Sequence, residues 1–247
     1  MSAIERDPWT HLASLTTARI ALGRSGGSLR TATQLALRLA HARARDAIHM
    51  PFDVTELQSQ LSKAGIEHAQ LTTQAGNRNE YLTDPGKGRR LSDIARHELL
   101  ARRRTWGQRE LVVVISDGLS ALAAERQAAA TIGVVLSQLE AQGVSSYPVL
   151  LVPFARVKLA DDIGELLHAK LSLILLGERP GLSSPDSLGA YVTFGPNAAR
   201  TDAERNCISN IRPDGVAPAA AGRRIAAILL GARRLELTGV GLKLDES

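Results

Sequence analysis

Apolar residues recur with two different periods along this chain, and the change falls near residue 110. Ahead of it the spacing is helical. Ala32, Leu35, Leu39 and Ala42 share one side of a stretch that Ser28 can cap and that spans about 29–47, which leaves Arg38 and Arg45 on other sides. A shorter amphipathic helix is expected over 54–63 and another over 91–103. The glycines of 22–27 make that segment a loop, 77–82 reads as irregular, and Asp84, Pro85 and Gly86 form a turn. Beyond residue 110 come short apolar runs at 111–115, 147–152 and 171–176, rich in Val, Leu and Ile without alternation, as in strands buried on both faces. An Ala-rich helix over 120–142 ending at Gly143, and a short helix over 161–167 with Asp161 and Asp162 in its first turn, separate these runs. A fourth strand over 190–194 and a closing helix over 217–234 complete the pattern. Strands alternating with helices predict an α/β fold with a parallel sheet and right-handed crossovers.

Composition narrows the class. A chain of 247 residues, 44% hydrophobic and 22% charged, is long enough to bury a core as one large domain or two small ones. With aromatics at 3%, Leu, Val, Ile and Ala must fill that core. No apolar run reaches the roughly 18 residues of a membrane span, and the start MSAIERDPW carries no apolar signal segment, so the expectation is a soluble intracellular protein. A single cysteine, Cys207, excludes an internal disulfide and a multi-cysteine metal cage. The net charge of +5 is uneven: residues 1–109 hold 17 Lys and Arg against 10 acids, and residues 110–247 hold 13 against 15. Of the 30 cations 25 are Arg, the side chain suited to gripping carboxylate or phosphate with two parallel hydrogen bonds. An anionic ligand, an acidic protein partner and a plain solvated surface all remain open.

Each of the three buried runs ends in a polar or glycine-bearing loop: Ser116 to Ser120, Pro153 to Lys158, and Gly177 to Gly181. In an open parallel sheet such loops meet at the carboxyl ends of the strands, where ligands bind. Any one loop is explained by the turn every strand needs; three carrying charge together point to a site. Familiar enzyme signatures are missing. No G-x-G-x-x-G follows a predicted strand and there is no Walker loop. None of the six histidines (11, 41, 49, 68, 97 and 168) lies in the three loops, and His168 reads as a surface or capping residue. Cys207 reads as a small core residue. Glu178, directly after an apolar strand, is either paired with a neighbouring Arg or offered to a ligand.

Several longer stretches taken together resemble one family. They are Ala18-Arg-Ile-Ala-Leu-Gly-Arg-Ser-Gly26, Tyr81-Leu-Thr-Asp-Pro85 with Gly88-Arg-Arg-Leu91, Val114-Ile-Ser-Asp-Gly-Leu-Ser120, Arg156-Val-Lys158 with Asp162-Ile-Gly-Glu165, Leu176-Gly-Glu-Arg-Pro-Gly-Leu182, and Asn206-Cys-Ile-Ser-Asn-Ile211. In this order, and spanning nearly the whole chain, they resemble the small (light) subunit of ethanolamine ammonia-lyase. The one departure is at the front, where relatives can carry a longer polar extension than the few residues ahead of Pro8.

The resemblance implies a subunit of an adenosylcobalamin-dependent enzyme that converts ethanolamine to acetaldehyde and ammonia. It implies a TIM-barrel large subunit that holds the substrate, completed at the cobalamin by a Rossmann-like domain of this chain over 109–247. The basic, mainly helical region over 1–108 would pack on the large subunit. Cofactor contacts carry over to Val157, Glu178 and Cys207, while no catalytic residue or metal ligand is assigned to this chain. Val157 would offer apolar or main-chain contact, Glu178 would accept hydrogen bonds from corrin amides, and Cys207 would pack as a small polarizable group. The cofactor would be base-on; in agreement, none of the six histidines has Asp two residues before it, as a D-x-H-x-x-G loop requires. The tail phosphate would suit Arg156 or Lys158 by charge. The location implied is the cytoplasm, with a bacterial microcompartment left open. Two other functions compete: a nicotinamide-dependent oxidoreductase, opposed by the missing glycine fingerprint, and a nucleic-acid-binding module. The latter is opposed by the lack of interleaved aromatic and basic residues among the first 109 positions.

Overall fold

The computed structural model describes residues 7–16, 18–25 and 27–243; Gly26 of the glycine loop and residues 1–6 of the amino-terminal segment lie outside the described residues. Ahead of the main sheet, β1 (Arg24–Ser25) and β2 (Ser28–Leu29) pair antiparallel and lead into α1 (Thr31–His49). Ser28 is therefore in a strand. The residue ahead of α1 is Arg30, which makes no side-chain cap. After α1 follow α2 (Val54–Lys63), β3 (His68–Gln70), α3 (Arg78–Thr83) and α4 (Asp93–Trp106). The second half contains β4 (Leu111–Ser116), α5 (Ala121–Glu140), β5 (Val149–Leu151), α6 (Leu159–Leu167), β6 (Leu171–Gly177), β7 (Leu188–Phe194), β8 (Asn206–Ile211) and α7 (Pro218–Leu235). Asp53, Asn77, Ser92 and Ser120 each cap a helix by accepting a backbone N–H from its first turn, and the Asn77 cap corrects the irregular reading of 77–82, which is the short helix α3. His168 closes α6 in the left-handed region, as a capping residue does.

Six strands form one sheet in the order β3-β5-β4-β6-β7-β8. The four strands from β3 to β6 are parallel, but β7 runs antiparallel to β6 and β8 antiparallel to β7. The expectation of a parallel sheet is corrected on that side, for a simple reason. Residues 178–187 contain no helix, and a return to a parallel neighbour needs a crossover of a dozen or more residues. The segment containing Cys207 is likewise the edge strand β8 and not part of the core. β3 comes from ahead of residue 109, so the sheet spans the point where charge and period change.

Alternate residues of β4 face two separate cores. Leu111, Val113 and Ile115 pack with Leu57 and Leu61 of α2, with α5 and with α7. Val112 and Val114 pack with Ala95 and Leu99 of α4 and with Leu159 and Ile163 of α6. Helix layers therefore cover both faces of the central strands, which explains their unbroken apolar sequence. Helix α1 differs from its predicted orientation. It buries Ala40 and Ala47, while Leu35 and Leu39 are 58% and 52% exposed.

One buried ion pair fixes β8 relative to α6. Both guanidinium nitrogens of Arg205 reach Asp161, at 2.8 and 2.6 Å, and Nη1 also donates to Thr193 Oγ1 at 3.0 Å. The Asp161 side chain is fully buried and that of Arg205 nearly so. Removing one partner of such a pair leaves a buried uncompensated charge. Asp161→Leu is therefore expected to lower the urea-unfolding free energy by about 3–5 kcal/mol, and Asp161→Leu with Arg205→Leu is expected to be less damaging than Asp161→Leu alone.

Candidate functional site

The carboxyl ends of β4, β5 and β6 are locked together by backbone. Leu119 N–H donates to Gly177 O at 2.8 Å. A Cβ on Gly118 would collide with Gly177, and one on Gly177 with the carbonyls of Asp117 and Ser120, so the two loops approach as closely as they do only because both residues are glycine. Gly118 also has φ 49°.

Asp117 closes the end of β4 beneath this contact. It is buried, and its carboxylate accepts from Phe154 N–H at 2.7 Å, Ser116 Oγ at 3.0 Å and Arg78 Nη1 at 2.9 Å. Burial nonetheless holds the Asp117 carboxyl above the usual carboxylate range, with the Phe154 N–H and the Arg78 charge pulling the other way. Phe154 turns its N–H to Asp117 from the left-handed region, at φ 61°. Arg78 arrives from α3 and also donates to Ile48 O and Gly118 O, both at 2.6 Å. Two guanidiniums lie against the buried ring of Tyr81, Arg156 at 4.1 Å and Arg78 at 5.2 Å from its centroid. Its phenol is pushed up to about 12, chiefly by burial.

Two adjoining cavities open above this floor. The larger, of about 740 Å³, is lined by Val157 and Cys207 among others, and the smaller, of about 240 Å³, by Val157 and Glu178. Arg156, Val157 and Tyr191 line both, so Val157, Glu178 and Cys207 border one continuous cleft. The cleft lies beside the start of α6 and over the face of β7 and β8 that carries Tyr191, Cys207 and Ser209. Cys207 pairs across the strands with Tyr191.

Glu178 is held by hydroxyls and not by an Arg. Ser187 Oγ and Ser209 Oγ each donate to it at 2.5 Å and Asn210 N–H at 3.2 Å, so one carboxylate ties the ends of β6, β7 and β8. A side chain at Gly189 would meet Glu178 at 2.9 Å; glycine there makes room for this arrangement. Three accepted hydrogen bonds leave a carboxylate acceptor site unused. Cys207 is exposed at the cleft edge, and its thiol pKa is raised by desolvation and by the Glu178 charge, against a hydrogen bond to Tyr191 that lowers it. The Tyr191 phenol is pushed up to about 12, first by burial and then by Cys207 and Glu178.

Sequence reasoning missed Tyr191. A signal existed in Gly189, Tyr191 and Thr193, which alternate with the apolar Leu188, Ala190 and Val192 and so mark one face of β7 as different. Lys158, paired by charge with Arg156 in the sequence, is engaged elsewhere: it forms an ion pair with Asp161 at 3.3 Å and hydrogen bonds to the carbonyls of Arg200 and Asn197. A further cavity of about 430 Å³ at the opposite ends of β4 and β5, lined by Glu67, Arg109 and Glu140, contains none of the predicted residues. Among the described residues no group of three or more His, Cys, Asp and Glu is arranged to hold a metal ion, and no helix is long and apolar enough to cross a membrane.

Comparison with known proteins gives one consistent result. The family described as ethanolamine ammonia-lyase light chain (EutC) matches residues 6–243. A protein of Azotobacter vinelandii named ethanolamine ammonia-lyase small subunit is 49% identical, covering all of this chain and 91% of its own length. Proteins of the same name from Xanthomonas campestris pv. campestris and Pseudomonas putida are 49% and 47% identical, each covering 98% of this chain and 89% of its own.

Because Cys207 is the single cysteine, its alkylation reports directly on the cleft. Glu178→Gln removes the negative charge that raises the thiol pKa, so the pH midpoint of iodoacetamide modification is expected to fall. Tyr191→Phe removes a hydrogen bond that favours the thiolate, and its midpoint is expected to rise. Mass-spectrometric alkylation rates across pH 7 to 10 measure both (about that span brackets a free thiol).

Proposed function

The chain belongs to the ethanolamine ammonia-lyase light-chain family, and from that premise we propose that it is the small subunit of this lyase, holding adenosylcobalamin against a TIM-barrel large subunit that carries the substrate. The observation that carries the reading is the meeting of Val157, Glu178 and Cys207 on one cleft. The residues present suit the cofactor. A corrin would rest across the two adjoining cavities as on a ledge, with the exposed side of β8 open to it. Glu178 is oriented by three donors and keeps an acceptor site for a corrin amide. Val157 supplies an apolar wall shared by both cavities, and Cys207 a small polarizable contact kept as the neutral thiol by its raised pKa. The absence of a D-x-H-x-x-G loop accords with a base-on cofactor.

When bound, the cofactor supplies radical chemistry through its cobalt–carbon bond; the protein supplies position and electrostatics. This chain's part is to bind and orient. Glu178 fixes a polar edge of the ring, and the interlocked Gly118 and Gly177 hold its loop in place. Tyr191 supports Cys207 from the neighbouring strand. The amino-terminal region then has a role as the docking surface for the large subunit. Leu35 and Leu39, one helical turn apart, offer it an apolar strip flanked by Arg38.

The isolated chain is expected to show no lyase activity, and mixing with the large subunit to restore it; turnover by this chain alone would overturn the assignment. In the complex, Glu178→Ala is expected to raise the apparent cobalamin Kd by the equivalent of about 1.5–3 kcal/mol, the contribution of a hydrogen bond to a charged group. Unchanged affinity would remove Glu178 from the site. Leu35→Asp with Leu39→Asp is expected to abolish co-purification with the large subunit while the circular dichroism of the free chain stays unchanged.

A further inference from the structure

We propose that Arg89 and Arg156 form an oxyanion subsite for a phosphate group in the larger cavity. Five cations line this cavity, Arg89, Arg156, Lys158, Arg200 and Arg205, against one lining carboxylate, Asp202. Three of the five are neutralised within the protein. Lys158 and Arg205 share the buried Asp161, Arg205 also meets Asp202, and Arg200 pairs with Glu204 at 2.5 Å. Arg89 and Arg156 form no ion pair among the described residues.

Arg156 is also pre-set. One guanidinium nitrogen donates to Tyr81 O at 3.0 Å and the plane lies over the Tyr81 ring, which fixes the group without neutralising it. Its Nε is buried and has no hydrogen-bond partner. Leaving a charged donor buried and unsatisfied is costly, and a phosphate paired with the same guanidinium would offset part of that cost by neutralising its charge. Arg89 is brought to the same wall by the loop over 84–90. Arg156 N–H donates to Gly88 O at 2.7 Å, and a side chain at Gly88 would meet Phe154 O at 2.7 Å and Arg156 Cγ at 3.0 Å. Glycine at 88 therefore lets the Arg89 loop seat on the Arg156 loop. A phosphate oxyanion, with three or more acceptor oxygens, can engage two guanidiniums at once where a carboxylate satisfies one fork.

The phosphate could belong to a free anion or to the nucleotide tail of a bound corrinoid, and only the second source rests on the function proposed above. The test uses the complex of this chain with the large subunit and three probes: inorganic phosphate, cobalamin, and cobinamide, which keeps the corrin ring without nucleotide or phosphodiester. Binding is read by difference spectra for the corrinoids and by equilibrium dialysis for phosphate. Arg156→Gln and Arg89→Gln are each expected to weaken cobalamin binding about tenfold, to leave cobinamide within about twofold, and to lower phosphate binding, as loss of one charge-assisted fork requires. Arg89 is exposed, so its variant tests the subsite even if Arg156→Gln fails to fold. Equal loss of cobalamin and cobinamide, or no change in cobalamin and phosphate, would overturn the subsite. Arginine-dependent phosphate binding by a complex that takes up no corrinoid would uphold the subsite and overturn the cofactor assignment instead.

Discussion

A β-sheet is buried on both faces only where helices lie on both sides, and here the two helix layers do not extend equally far. On one side α7 reaches across β7 and β8, and Ile208 packs into that core. On the other, α6 packs over β4 and β6, while Cys207 and Ser209 of β8 stay exposed. The cleft is the consequence: a polar strip of sheet beside the end of a helix layer, with the loops after β4, β5 and β6 as its back wall. The Asp161–Arg205 pair ties the start of α6 to β8 and so holds the two sides of the cleft at a fixed separation.

Much of the arginine excess is used inside the molecule. Arg78 braces Ile48 O, Gly118 O and Asp117; Arg103 reaches Leu166 O; Arg205 is neutralised in the core. A planar group with five donors can satisfy several carbonyls at loop ends, which a lysine ammonium does less well. The basic character of the first half is therefore partly structural. The sign of the cleft is set by the few guanidiniums that these internal pairings leave over, and composition alone could not identify them.

What could be read from the sequence follows the same division. β4 and β6 are apolar throughout because helices cover both faces, and such runs are legible. β8 has no apolar run to mark it as a strand, because its exposed residues Cys207 and Ser209 face the cleft while Ile208 faces the core, and Cys207 on its own reads as a core residue. β3, three residues long, is too short to show a period. The loops bearing Val157 and Glu178 were visible from strand-end logic. Cys207 came only through family resemblance, and Tyr191 needed its cross-strand pairing. The partners of Glu178 lie 9, 31 and 32 residues away, a separation that local pattern does not encode.

Two features of the chain are unfinished in isolation, and they are of different chemical kinds. The cleft is an open, partly polar ledge lined by more cations than carboxylates. Helix α1 is apolar around much of its first half, leans lightly on α5, and leaves Leu35 and Leu39 in water. Leu35 and Leu39 are already about half covered, so burying the rest of each would contribute on the order of 1–2 kcal/mol. A second chain that covered α1 would gain that apolar burial whether or not a ligand were present. Assembly and ligand binding can thus draw on separate surfaces, with apolar contact joining the chains and oriented polar groups fixing what lies between them.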